Sequence, residues 1–113
     1  MAGNFYQVSN FLVNQSLGAT FTSEAFRIGE FDHVGLQATI TGSSGPINGS
    51  FQLQRSVDGL SWDNFQAAEA ITADVVFTRQ IADIYFGFIR IVYTRTAGSG
   101  TLNVKLGTVN HAH

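Results

Sequence analysis

The sequence predicts an all-β fold, an antiparallel β-sandwich of the jelly-roll type with about seven or eight strands. Apolar and polar residues alternate along most of the 113 residues, as in strands with one buried and one solvated face. Runs of Gly, Ser and Asn interrupt the alternation and are typical of turns. There is no cysteine, so neither a disulfide framework nor a thiolate metal site is available.

An Asp-Gly pair marks the clearest hairpin. Phe51 and Leu53 alternate with polar residues before Asp58-Gly59, and Trp62 follows the pair. Glycine supplies the positive φ that a tight hairpin turn needs. We therefore predict two antiparallel strands joined at this turn.

The other elements are predicted from the same period of two. Further strands are expected over Phe5 to Val13, around Phe26 and Ile28, over Val34 to Ile40, over Asp74 to Gln80, over Ile84 to Tyr93 and over Leu102 to Leu106. Gly42 to Gly49 is a predicted turn, and Ala97 to Gly100 is predicted to close a second hairpin. The alanine-rich segment Gln66 to Ala73 is predicted as a short helical turn within a connection.

Charge and length limit the classes of function. Residues 1–113 are expected to form a single domain, and only 12% of them are charged, against about 25% in ordinary domains. The net charge is −2 and no basic run occurs, so neither a nucleic acid nor an acidic membrane is an expected partner. No signal-like segment and no apolar run of ~20 residues is present, so we expect synthesis in a host cytoplasm.

Histidines are the first candidates for chemistry. His111 and His113 could face one metal ion from an extended strand, but zinc needs three or four protein ligands and only His33 remains. Asp32-His33 has two residue types of a catalytic triad, yet no serine lies in a nucleophile-elbow motif. A polar turn before a strand is the favoured interpretation of this pair.

Carboxylates are the second candidates. Asp58 and Asp63 bracket the hairpin and could bind calcium, but few other oxygen ligands cluster there, so a turn residue and a surface residue are favoured. Glycoside hydrolysis needs paired carboxylates, and Glu24, Glu30 and Glu69 belong to no motif. We therefore predict no enzyme activity, no catalytic residue, no metal and no cofactor.

Aromatic side chains offer a binding function, because exposed rings stack on sugars. Trp62 would form such a platform with Tyr85 or Tyr6, and Tyr93 is a further aromatic candidate. Burial at the end of the sandwich is the favoured interpretation of Trp62. A carbohydrate-binding module that uses Trp62 and Tyr85 is the alternative function.

Two segments resemble a known family. Residues 51–62, FQLQRSVDGLSW, are similar to the F-x-L-Q-x-S-x-D-G-x-x-W hairpin of small virion structural proteins of tailed bacteriophages. Residues 88–104 resemble the Y-I-R-L-V-Y-T-x-T-S-G-T-G-T-L-N-V ending of those proteins. The S-x-D-G-x-x-W hairpin also occurs in discoidin-like domains, but those that bind sugar or lipid are longer and carry binding loops for which this chain has little room.

The resemblance implies a jelly-roll-like virion component, most specifically a capsid decoration protein that binds the major capsid protein and stabilises the shell. Such proteins assemble as oligomers, and a trimer is preferred here because shell decoration follows local three-fold positions. Low charge suits closely spaced copies, which then repel one another less.

The N-terminal segment, residues 1–13, has more apolar residues than one edge strand needs. We predict that it packs against a neighbouring subunit or the capsid, with Phe5, Tyr6 and Phe11 as anchors. The alternative is that it is simply the first strand of the sandwich.

Overall fold

The structure, a computed structural model, describes residues 4–28, 33–81 and 87–111. It confirms the all-β prediction, and the described ranges contain no helix. In chain order the strands are β1 (Asn4–Ser16), β2 (Phe21–Thr22), β3 (Phe26–Arg27), β4 (His33–Ser56), β5 (Asp63–Ile71), β6 (Val75–Ile81) and β7 (Phe88–His111).

Two strands of 24 residues, β4 and β7, pair with each other along their whole length. The first half of β4 and the second half of β7 lie between β1 and β6, in the order β1-β7-β4-β6, which we call the first layer. The other halves lie between β2–β3 and β5 and form the second layer. Because β4 and β7 each serve as two consecutive strands, this order is that of an eight-stranded jelly roll.

The long strands correct two sequence predictions. Gly42 to Gly49 does not reverse the chain but lies within β4, and Ala97 to Gly100 lies within β7 instead of closing a hairpin. The ladder shifts register three times between Thr41 and Gly49, and Gly98 has a φ of +75°. Glycine tolerates such a backbone, so the strands bend and continue rather than turn back.

The predicted helical turn in Gln66 to Ala73 is also wrong, because most of this segment belongs to β5. Leu53 pairs with Phe65, and the ladder continues to Ile71 after a bulge at the position where Gln66 has a positive φ. Pairing with β4 outweighs the helical preference of alanine, which is only a weak prior.

The core lies between the two layers. Ring contacts join them, with centroids 5.1 Å apart for Phe51 and Phe77 and 5.3 Å apart for Phe11 and Phe26. Among the residues that the structure describes, seventeen apolar ones are buried, namely Leu17, Ile28, Val34, Leu36, Ala38, Ile40, Ile47, Phe51, Leu53, Ile71, Ile81, Ile89, Ile91, Tyr93, Leu102, Val104 and Leu106. The apolar residues of the predicted alternating pattern therefore form the core of the sandwich.

Tyr93 is the largest fully buried side chain, and its ring lies over Gly49 on the neighbouring strand. A Cβ atom at position 49 would overlap the ring, so only glycine fits there. Burial raises the pKa of the Tyr93 hydroxyl, which has no hydrogen-bond partner among the described residues. Tyr93 is thus a core residue and is not accessible for stacking on a sugar.

We expect Gly49→Ala to lower the free energy of unfolding by about 3 kcal/mol, the upper range for overpacking a core, because the ring must move. Urea unfolding followed by far-ultraviolet circular dichroism measures this. Gly35→Ala is the matched control, since a Cβ there meets nothing within 4 Å, and it should change stability by less than about 0.5 kcal/mol. Equal effects of the two substitutions would contradict the role given to Gly49.

Candidate interaction surfaces

The predicted turn at Asp58 is present in the segment between β4 and β5, residues 57–62, which we call the β4–β5 loop. The Oδ1 atom of Asp58 accepts hydrogen bonds from the Leu60 amide (2.8 Å), the Ser61 amide (3.0 Å) and the Ser56 hydroxyl (3.0 Å). The Ser56 hydroxyl in turn accepts from the Gly59 amide at 2.8 Å. This network fixes the backbone of the loop.

The same hydrogen bonds determine the electrostatics of Asp58. Led by the Ser61 amide, they lower the pKa of the carboxyl group from 3.8 to about 2, because each of them favours the ionised form. The Asp58 carboxylate is therefore a structural acceptor within its own loop. Asp63 is the first residue of β5, and its Oδ2 atom lies 3.5 Å from the Nε atom of Arg55 on β4.

Two apolar side chains project from this fixed loop. Leu60 is 83% exposed and Val57 is 76% exposed, more than any other large apolar residue described. Neither residue was predicted from the sequence as a contact, although apolar residues directly beside an Asp-Gly turn lie at the end of a hairpin and could have indicated an exposed tip. The loop thus presents an apolar surface in a defined conformation.

Trp62 lies at the base of the loop and is half-buried. The guanidinium carbon of Arg90 lies 4.3 Å from the centre of its ring, and the Arg90 Nε donates to the Gln54 side chain at 2.8 Å. This cation–π contact covers one face of the indole. Tyr85, the other residue proposed for sugar contact, lies outside the described residues.

A groove of about 400 Å³ opens between β1 of the first layer and the β2–β3 segment of the second. Its lining combines the apolar side chains of Phe11, Leu12, Phe21 and Phe26, all half-buried and packed against the core, with the polar residues Gln15, Thr22, Ser23 and Glu24. Ala25 is exposed at the groove. We call this feature the β1–β3 groove, and two of its lining residues, Phe11 and Phe26, contact each other.

The three predicted interface anchors belong to one strand. All lie in β1, which pairs with β7, so the segment is a strand of the sandwich as well as a candidate contact surface. Phe11 lines the β1–β3 groove. Phe5 and Tyr6 lie near the start of β1, where the structure describes only the backbone. Phe21 and Phe26 line the same groove but could not be predicted from the sequence as parts of this surface, because they belong to the other layer.

The outward face of the first layer carries little charge. Alternation places Val8, Asn10 and Val13 of β1 on this face with positions 35, 37, 39 and 41 of β4, 76, 78 and 80 of β6 and 101, 103, 105 and 107 of β7. Lys105 is the one charged residue among these described positions. Val8, Val13 and Val76 are all more than half exposed.

The remaining candidates for chemistry are not brought together. His33 is the first residue of β4 and His111 is the last residue of β7, and the structure describes only the backbone of both. Asp32 and His113 lie outside the described residues. In the described part of the chain, no three His, Cys, Asp or Glu residues form a group suited to a metal ion. Nor does this part contain a helix with the length and hydropathy to cross a membrane.

Comparison with known proteins supports the fold. A chain from the structure of infectious bursal disease virus, Gx strain, matches with a TM-score of 0.51 and 16% sequence identity. The match covers 97% of this chain and 31% of that one, so this chain corresponds to under a third of the viral chain. No protein family model and no curated protein matches the sequence.

We predict that Asp58→Asn destabilises the protein in a pH-dependent manner. A carboxyl group with a lowered pKa contributes stability above its unfolded pKa, here 3.8, and that contribution is lost as the pH falls towards about 2. The difference in unfolding free energy between parent and variant should therefore be constant above about pH 5 and shrink progressively below it. Urea titrations across this range measure the difference.

Val57→Ala is the control for this prediction, because it removes a neighbouring exposed side chain without touching the hydrogen bonds of Asp58. Its difference from the parent should not vary over the same pH range. An Asp58→Asn difference that stays constant from neutral pH to pH 2 would show that the carboxylate does not support the loop.

Proposed function

We propose that this protein is a non-enzymatic structural component of a virus particle, specifically a capsid decoration protein of a tailed bacteriophage. The observation that carries the proposal is the jelly-roll fold, which 97% of the chain shares with a chain from a virus structure. The sequence resemblance to phage virion proteins adds the finer assignment. In this role the protein would bind the major capsid protein as a homo-oligomer, with a trimer preferred, and stabilise the shell.

The surface chemistry suits a component that is present in many neighbouring copies. The outward face of the first layer is polar and nearly uncharged, and the whole chain has a net charge of −2. Closely spaced copies with such faces repel one another little. Shell binding would then come from apolar and hydrogen-bonded contacts rather than from charge.

We assign the contact with the shell or with a neighbouring copy to β1 and its anchors Phe5, Tyr6 and Phe11. This 13-residue strand contains no charged residue and no proline, the two features that usually protect a free edge. β6, at the opposite edge of the first layer, carries Arg79, which pairs with Glu69 of β5. The difference between the two edges favours β1 as the contact strand.

A carbohydrate-binding module based on Trp62 and Tyr85 is the weaker proposal. A sugar needs an open aromatic face, and Arg90 already covers one face of the Trp62 ring. A carbohydrate-binding module should be retarded by immobilised glycan in affinity electrophoresis. Trp62→Ala should abolish this retardation while the protein remains folded.

The proposal is tested on particles of the phage that encodes the chain, with and without its gene. We expect particles that lack the protein to release DNA at a lower temperature, and added purified protein to restore the parental value. The double variant Phe5→Asp with Tyr6→Asp should bind these particles at least about tenfold more weakly, because charge at a buried contact is costly. Co-sedimentation measures the binding.

The matched control is Val75→Asp with Val76→Asp on β6, the other edge of the same layer, which should bind like the parent. Absence of the protein from purified particles, or an unchanged temperature of DNA release without it, would refute the decoration role. Equal loss of binding in both double variants would refute the assignment of the contact to β1.

A further inference from the structure

One backbone edge of β1 has no partner among the described strands. β1 pairs with β7 on one side, and no other described strand lies on its second side. Over residues 4–10 the pairing with β7 is regular, residue by residue. In such a ladder the N–H and C=O groups of alternate residues face away from the partner strand. This stretch of β1 is therefore a template on which a further strand can pair.

The β1–β3 groove begins where the regular stretch ends. The register of β1 shifts between Asn10 and Leu12 and again between Leu12 and Gln15, and Phe11, Leu12 and Gln15 line the groove. Bulges of this kind interrupt regular strand pairing. Across the groove, β2 and β3 also pair only with β7 among the described strands. The groove therefore lies between the unpaired sides of strands from both layers.

The lining of the groove suits a peptide better than a purely apolar group. Its four phenylalanine and leucine side chains pack against the core and are only partly open, and polar residues alternate with them. An extended peptide carries polar backbone groups together with side chains that point to alternate sides. In recognition by strand addition, main-chain hydrogen bonds provide affinity and pockets for alternate side chains provide specificity. The edge of β1 and the groove beside it supply these two parts.

Glu24 determines which charge the groove favours. It is the one charged residue among the described lining residues, it is exposed, and it forms no ion pair with another described residue. A basic side chain in the added segment would complement it. β1 has no charged residue, so pairing with β1 of a second copy would leave Glu24 without a cation. Charge therefore favours a segment of a different protein over a second copy of this strand.

We propose that an extended segment of a partner protein adds as a further strand to residues 4–10 of β1 and continues into the β1–β3 groove. The segment has apolar residues at alternate positions and a lysine or arginine that pairs with Glu24. This inference rests on the proposed function, which identifies the partner as the major capsid protein. Main-chain hydrogen bonds hold the segment, while the exposed ion pair adds little affinity and mainly selects the partner.

A synthetic array of random peptides tests the chemistry of the segment without virus particles. Peptides of about nine residues are long enough to cover residues 4–10 of β1. We expect the purified chain to bind peptides with alternate apolar residues and at least one lysine or arginine. Glu24→Gln should lose the preference for the basic residue, and Glu24→Asp, which keeps the charge, should retain it. Binding without any preference for this pattern, or no binding to any peptide, would overturn the proposal.

N-methylation of the tightest-binding peptide distinguishes strand pairing from docking of side chains. A methyl group on a backbone nitrogen removes a hydrogen-bond donor and leaves every side chain in place. Only alternate N–H groups of a strand face one neighbour, so methylation of one alternate set should weaken binding at least about tenfold. Methylation of the other set should change binding little. Fluorescence anisotropy measures both affinities, and equal effects of the two sets would overturn strand addition.

Ala25→Lys tests whether the peptide reaches the groove, because Ala25 is exposed there. The added amine should pair with Glu24 and repel a basic segment, so that the same peptide binds at least about tenfold more weakly. Val76→Lys is the matched control, since it changes the net charge equally at an exposed position on the far edge of the first layer. It should bind the peptide like the parent. Equal losses in both variants would overturn the placement in the groove.

Hydrogen exchange on particles tests the same contact with the shell. Amides of residues 4–10 that do not face β7 should exchange rapidly in the free chain and become protected when the chain is bound to particles. Amides of β6, at the opposite edge of the first layer, should exchange equally in both states. Protection that appears at β6 and not at β1 would overturn the proposal.

The two proposals fail separately. If the chain stabilises particles but residues 4–10 gain no protection and no peptide of the expected pattern binds, strand addition is wrong and the decoration role stands. If such a peptide binds with the expected response to N-methylation but the chain neither occurs in particles nor stabilises them, the strand site stands and the decoration role is wrong.

Discussion

The pairing of β4 with β7 is the constraint on which the rest of the structure depends. Each strand has 24 residues, and every other strand attaches to one of the two, β1, β2 and β3 to β7 and β5 and β6 to β4. Both strands bend at the same place, where Gly98 lies against Ile47. Because the register shifts there, the alternating apolar residues of both halves face the same core. One hydrogen-bonded ladder therefore supplies two layers of the sandwich.

The surfaces follow from this arrangement. The β1–β3 groove exists because β1 belongs to the first layer and β2–β3 to the second, so the layers meet along an open side where Phe11 and Phe26 touch. The β4–β5 loop joins the end of β4, where Ser56 is buried, to the start of β5 at Asp63. In the loop, the backbone amides of Leu60 and Ser61 donate to the Asp58 carboxylate, which takes the place of the carbonyl groups of a neighbouring strand. Backbone pairing thus builds the two layers, and the exposed apolar side chains lie at their edges, in the loop and along the groove.

A jelly roll hosts many functions, so the proposed role in a virus particle rests on the fold together with the sequence resemblance and the character of the surfaces. Two of the described polar groups serve structural purposes, Asp58 in its loop and Arg90 on the ring of Trp62. The accessible features include an edge strand without charge, a face with one lysine among its described positions, the exposed Leu60 and Val57 of the β4–β5 loop and the β1–β3 groove. In the proposed role such surfaces would make repeated contacts, where small interactions multiply through the number of subunits.

The sequence by itself determined the fold class, the hairpin at Asp58-Gly59 and the strand character of the N-terminal segment, because period-two alternation and turn chemistry are local properties. Only the tertiary structure decided that Ala97 to Gly100 bends a strand instead of reversing it, since glycine and serine permit both and the partner strand selects one. The same holds for Gln66 to Ala73, where pairing with β4 overrides a weak helical preference. The groove and the exposed tip at Leu60 were decided by the tertiary structure too, because exposure depends on which distant segments pack together.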